Sequence, residues 1–294
     1  MATLEVLQKR IKTTADLRDI VSTMKSLSSV SILQYDQAAQ SLKTYRKNIQ
    51  DGFHALLKFR SMPLMSGLKE KTGKTMVVVI GTDSGLVGRF NKETLLKAQS
   101  FLQENGIKDA LFLTVGKRMA VLAENAGVDV FAKYSISNSI KFVNSLAGTM
   151  IVRLYEAMQK HKVSKVVVFY HKREQGVSVS LEQMDLLPFS EKVYQGLKKK
   201  KWETNNVPLV TLPTPTLMQE LIKEYLMIEL CSALTYSLSA EHHTRMVNMQ
   251  NAEKNIDESL VRLNQEYQQK RQDEITEELI DVVSGSEALH QKKQ

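Results

Sequence analysis

Residues 216–284 read TLMQELIKEYLMIELCSALTYSLSAEHHTRMVNMQNAEKNIDESLVRLNQEYQQKRQDEITEELIDVVS, a run without a single glycine or proline. As a helix it would span on the order of 100 Å at about 1.5 Å per residue. A helix much beyond about 25 residues is ordinarily half of a coiled coil or part of a repeat, because only a second helix can bury so long a stripe. The other end of the chain offers that second helix. Residues 2–51 are equally free of breakers and would reach about 75 Å. All thirteen glycines and five prolines, Gly285 excepted, fall between Gly52 and Pro215.

Both arms carry a helical stripe. In the first, Leu4, Leu7, Ile11, Leu17, Ile20, Met24, Leu27 and Val30 recur mostly at steps of three and four. In the second, Leu221, Tyr225, Ile228, Leu234, Leu238, Met246, Met249, Ala252, Ile256, Leu260, Leu263 and Tyr267 do the same. The spacing predicts two arms packed as an antiparallel coiled coil. The charge pattern agrees: residues 1–51 hold 8 basic against 5 acidic side chains, residues 216–294 hold 8 against 14, and arms of opposite net sign favour pairing.

Between the arms the period changes. Thr75 to Ile80 and Ala110 to Val115 are short apolar runs, each closed by a glycine, and read as buried parallel strands. Helical patterns at 91–104, 117–126 and 139–160 alternate with the strands, so a doubly wound α/β domain is expected. Val166 to His171 and Gly176 to Met184 read as a closing hairpin. The expected division is therefore an N-terminal coiled-coil helix at 1–55, an α/β domain at 56–215 and a C-terminal coiled-coil helix at 216–294.

The net charge of +8 is concentrated in this middle segment, with 24 basic against 13 acidic residues and its densest cluster at Lys198 to Lys201. No aromatic interleaving or nucleic-acid motif accompanies it, so a solvated loop is the expected reading, without a nucleic-acid partner. No run approaches the roughly 18 to 20 uncharged apolar residues of a membrane span. Met1 to Lys12 reads as amphipathic helix, not as a secretory or transit signal. The lone Cys231 excludes an internal disulfide and reads as a small buried residue.

Candidate chemistry is sparse. The loop from Gly81 to Arg89 follows a strand and precedes a helix, where α/β folds often hold phosphate. It lacks the Gly-Lys-Ser/Thr ending of a phosphate loop and the spacing of a dinucleotide loop, so its glycines read as structural, with no cofactor implied. His242 and His243 are adjacent, point about 100° apart on a helix, and read as helix surface and seam, not as metal ligands. Glu277, Glu278 and Asp281 read as a solvated acidic face. No arrangement of a nucleophile with its base stands out.

Specific residues add what periodicity does not. Ala240-Glu241-His242-His243-Thr244-Arg245-Met246-Val247-Asn248-Met249-Gln250-Asn251-Ala252, continued by Asn255, Tyr267, Arg271-Gln272, Ile275-Thr276, Glu278-Leu279-Ile280 and Ser284 to Leu289, closely resembles the signature of F-type ATP synthase gamma subunits. Arg10-Ile11-Lys12, Ile20-Val21, Met24-Lys25 and the Asp83-x-Gly85-Leu86-x-Gly88-x-x-Asn91 loop resemble the family's other motifs in the same order, as do Leu186-Leu187-Pro188 and Trp202. The resemblance covers nearly the whole chain.

That resemblance implies a rotor without an active site of its own. The terminal helices would turn inside a ring of three alpha and three beta subunits, the α/β domain would form a foot on the membrane ring of c subunits, and epsilon would be a further partner. It would couple ion flow, such as hydrogen ion transport, to ATP synthesis or hydrolysis from the cytoplasmic face of a bacterial inner membrane. The absence of a second cysteine, and so of the inserted pair of chloroplast gamma subunits, points to a bacterial type. Matched to the family, Met24 and Lys25 would lie near an acidic beta loop, and Arg245, Gln272 and Thr276 would contact the surrounding ring. Met24 also fits the apolar stripe.

Departures from the pattern are visible. Ser26 to Leu33 lack the basic residues usual after the Met-Lys pair, Ser84 stands where an arginine is usual, Val87 for cysteine and Arg89 for a small residue, and residues 206–215 diverge. The expectation is a divergent paralogue. Two other classes share parts of the pattern: a non-catalytic helical scaffold would need only the arms, and a Rossmann-like enzyme would need a ligand at the Asp83 loop.

Overall fold

The computed structural model describes residues 3–59, 73–174, 178–188, 206 and 208–291, with side chains described as far as 284. The arms are continuous helices, α1 (Leu4–Phe59, 56 residues) and α5 (Thr214–Gln291, 78 residues). Between them come β1 (Lys74–Ile80), α2 (Phe90–Glu104), β2 (Ala110–Val115), α3 (Lys117–Asn125), β3 (Val130–Tyr134), a 3-10 turn (Ile140–Phe142), α4 (Val143–Lys160), β4 (Val163–Arg173) and β5 (Val179–Leu187). The hairpin's first strand therefore starts earlier than the sequence predicts, at Val163, and its second starts later, at Val179, and runs on to Leu187. β3 has no counterpart among the predicted strands.

The chain divides into two compact units. The first joins residues up to Leu27 to those from Met246 on. Here the start of α1 runs antiparallel to the end of α5, clipped by Arg18 Nε donating to Asp257 Oδ1 at 2.6 Å and by Lys25 Nζ donating to Glu253 Oε2. The stripe is buried less than its spacing predicts. Leu7 and Met249 are buried, but Leu17, Ile20 and Leu27 are 49, 55 and 63% exposed. A single partner helix covers only a narrow seam, so the outer members of the stripe stay in water.

The second unit, Ser28 to Arg245, is built on a five-stranded sheet in the order β3-β2-β1-β4-β5. The first four strands are parallel and β5 returns antiparallel to β4. Every residue of β1 from Met76 to Ile80 is fully buried, because both faces are covered. Val77 and Val79 point into a core with Leu95, Ala98 and Phe101 of α2 and Met119 and Ala123 of α3. Met76, Val78 and Ile80 point into a larger core with α4 and with Leu226, Leu230, Leu234 and Leu238 of α5.

That larger core makes α5 unusual. From Leu226 to Arg245 nearly every residue is buried, including Ser232, Thr235, Ser237 and Ser239. The small side chains let α1, the sheet and α4 crowd a helix that would otherwise expose one face. The lone thiol of Cys231 lies in this stretch, is pushed up to about 11 by burial, and donates to Asn144 Oδ1 at 3.3 Å. It is the small buried residue the sequence predicts. Lys198 to Lys201 and Trp202 lie outside the described residues.

Candidate coupling residues and the strand-end loop

The loop after β1 is shaped by its own contacts. Thr82 N–H donates to Asn91 Oδ1 at 3.0 Å, Asn91 Nδ2 donates back to Thr82 Oγ1 at 3.0 Å, and the Thr82 hydroxyl donates to Ser84 O at 2.8 Å. The Asp83 carboxylate accepts from Lys117 N–H at 2.8 Å, from Ile136 N–H at 3.1 Å and from the Ser135 hydroxyl. One carboxylate thus caps α3 and ties the segments that leave β1, β2 and β3. A Cβ on Gly81 would fall 2.3 Å from Asn91 Oδ1, and one on Gly116, at φ +104°, 2.6 Å from the Thr82 nitrogen. Crowding by the Asn91 and Met119 side chains accounts for Gly81, the loop glycine read as structural, and close approach of the Thr82 backbone accounts for Gly116. Among the described residues no group of three or more His, Cys, Asp or Glu side chains is placed to hold a metal ion.

Arg245 closes this loop from α5. Only 4% exposed, it donates to Glu241 Oε1 at 2.5 Å, to Ser84 Oγ at 3.0 Å and to Gly85 O at 3.4 Å. Burial pushes the Glu241 carboxyl up, against the pull of the guanidinium beside it. Ser84 supplies the oxygen that Arg245 needs; an arginine there would set a second guanidinium against the first. His242 and His243 are expected as helix surface and seam; the surface part fails, since both are 6% exposed. The His242 ring stacks on Tyr35 at 5.5 Å, and burial, reinforced by Arg245, holds it neutral with a pKa lowered to about 4. Burial drives Tyr35 up to about 12.

The other candidate residues belong to the first unit. Met24 and Lys25 are half-buried on α1, and the Lys25 ammonium, bonded to Glu253, holds that carboxyl below its usual range. Gln272 and Thr276 are exposed and share a face of α5, where the Thr276 hydroxyl donates to Gln272 O at 2.8 Å. Gln272 lies nineteen residues beyond Glu253, about 28 Å along the helix. These residues therefore form two separate polar stations, and Arg245, in the other unit, forms a third. Glu277, Glu278 and Asp281 are exposed, as expected. Sequence reasoning missed Glu241, although a Glu four residues before an Arg on a helix is a readable pair.

A family model described as ATP synthase matches residues 3–289. The chain is 28% identical to the ATP synthase gamma chain of Chlorobium phaeobacteroides, over 98% of its own length and 99% of that protein's. With the ATP synthase gamma chain of Geotalea uraniireducens it shares 25% identity over the same fractions. Among solved structures, a chain in the OSCP/F1/c-ring structure of Euglena gracilis mitochondrial ATP synthase superposes with a TM-score of 0.63 at 18% identity, covering 99% of this chain and 96% of that one. A chain of the Euglena gracilis rotor gives 0.58 over 92% and 98% at 17% identity, so the likeness extends through the fold.

Proposed function

Because this chain belongs to the gamma-chain family of ATP synthases, we propose that it is the rotating central stalk of such an enzyme. Two long antiparallel helices around an inserted α/β domain carry this reading. The helices form the shaft inside a ring of alpha and beta subunits. The α/β domain, with its basic excess, forms the foot on a membrane ring of c subunits beside an epsilon subunit. Among the described residues no helix is long and apolar enough to cross a membrane, so the chain meets the bilayer through those partners, at the cytoplasmic face in a bacterium. Nucleotide chemistry stays on the beta subunits.

A shaft couples sites by presenting different faces to them, which biases each beta subunit between open and closed states. Lys25 is the first contact. Its ammonium exchanges Glu253 for a carboxylate of the ring as the shaft turns, a swap between partners of like charge. Met24 packs one side into the seam and offers the other to the ring. Thr276, its proton committed to Gln272 O, meets the ring as an acceptor, while the Gln272 amide both donates and accepts. Arg245 acts through the loop: fixed on Glu241, it sets the position of Ser84 and Gly85 and so of the surface they present. The departures at Ser84 and after Lys25 mark a divergent paralogue with a foot adapted to its own c ring.

Co-expression with its own alpha and beta subunits tests the assignment. One copy per three alpha/beta pairs, with ATPase activity that depends on this chain, is expected. Folded alpha and beta subunits that fail to retain it would return the helical scaffold to the front.

A further inference from the structure

A rotor must carry torsional load between its foot and its shaft. Apolar packing supplies most of the contact in the second unit, but it is non-directional and resists sliding only through the fit of its side chains. Hydrogen bonds to a charge fix both length and direction. One residue uses such bonds to tie its own helix to two further elements. Asp36 of α1 accepts through Oδ1 from the Ser239 hydroxyl of α5 at 2.9 Å and through Oδ2 from the Arg173 guanidinium of β4. Each oxygen serves a different element, so rotation of either helix about its axis, or sliding of the sheet past them, lengthens at least one bond.

The surroundings stiffen the arrangement. Ser239 is 3% exposed, and Tyr35, next to Asp36, is buried at 2% and stacked on His242 of α5. Arg173 follows Lys172, whose ammonium sits 5.4 Å from the Tyr236 ring of α5. The sheet strand thus meets α5 through a cation over a ring and α1 through an ion pair. The Asp36 and Arg173 side chains are 40 and 28% exposed, so their pair contributes modestly to global stability. A contact of small energetic worth that touches three elements is placed for geometry.

We propose that Asp36, with Arg173 and Ser239, is the torque-transmitting joint between the helical pair and the α/β domain. Asp36 is a positioning residue; it meets neither nucleotide nor ring. The proposal rests on the rotor reading, and one assay separates the two. The complex is assembled from the full chain with its own alpha and beta subunits, the ring is immobilised, and a probe on the α/β domain is followed during ATP hydrolysis. If the unaltered complex never turns the probe, the rotor reading falls and the joint with it.

If it turns, the joint is judged by the angular spread of the probe during pauses. Asp36→Asn keeps the shape and the Ser239 bond but removes the charge facing Arg173, and a wider spread is expected. Asp36→Ala should widen it further. Arg173→Gln should match Asp36→Asn, and combining those two should add little, because both remove the same interaction. Glu156→Ala, which breaks the ion pairs internal to α4, serves as the control and should leave the spread unchanged. An unchanged spread in Asp36→Ala, or equal widening in Glu156→Ala, would overturn the joint. A shift in melting temperature alone would not count for it.

Discussion

Arg245 and Glu241 are 4 and 1% exposed. Removing one partner of a buried ion pair strands the other, at a cost of about 3–5 kcal/mol, whereas replacing both with apolar groups is often nearly neutral. Arg245→Met should therefore lower stability strongly and Glu241→Leu with Arg245→Met should recover most of it, read by denaturant unfolding. Ser84→Arg should mimic the damage of Arg245→Met by crowding two cations. Lys25→Ala removes a half-buried pair on the shaft, whose side chains are 30 and 19% exposed, so it should lower the melting temperature only modestly while reducing ring-dependent ATPase activity.

Three buried histidines supply a pH dependence, His243 among them with its pKa lowered first by burial. His171 is stacked on Phe90 at 3.7 Å and lowered by burial to about 4, as His242 is by burial and Arg245. Their unfolded value is 6.5, so between pH 6.5 and 4 the unfolded chain binds more protons. Stability from this source is fully present above pH 6.5 and is lost as pH falls toward 4, by about 3 kcal/mol per group at most. Glu229 and Glu241, whose carboxyls burial raises, act in the opposite sense over the carboxylate range. His242→Phe should flatten the upper part of an unfolding-versus-pH curve; an unaltered slope between pH 6.5 and 5 would assign it to His171 and His243 instead.

At the scale of elements, the strand-end loop depends on its glycines. Gly116→Ala places a side chain at φ +104° and 2.6 Å from the Thr82 nitrogen, a combination that should cost about 1–3 kcal/mol or more and detach Asp83 from α3. Amide exchange at Lys117 and Ile136 would report it. The same scale shows what periodicity reveals. β1 and β2 were legible because a parallel strand covered on both faces reads as an unbroken apolar run, and the arms because nothing in them breaks a helix. β3 was not: it is five residues at the edge of the sheet, half-buried, and Lys133 interrupts its pattern. Nor was the burial of Glu241, His242, His243 and Arg245, since a stripe argument assigns a helix one covered face and α5 is covered on nearly all sides here. The strand-end loop's glycines were legible as structural, whereas the partners of Asp83 come from segments distant in sequence.

For the whole molecule, two long helices and one sheet divide the work. Small residues in α5 allow a dense collar around the helix from Leu226 to Arg245, while the first unit keeps Leu17, Ile20 and Leu27 exposed. Apolar groups left uncovered by the seam are available to the surrounding ring of the proposed rotor. Direct observation of motion tests this most squarely. Complexes assembled with the chain's own alpha and beta subunits, immobilised by the ring and carrying a probe on the α/β domain, should show ATP-dependent, unidirectional stepping that stops when the shaft is cross-linked to a beta subunit. A complex that hydrolyses ATP at full rate with the probe stationary, or with the cross-link in place, would contradict the account.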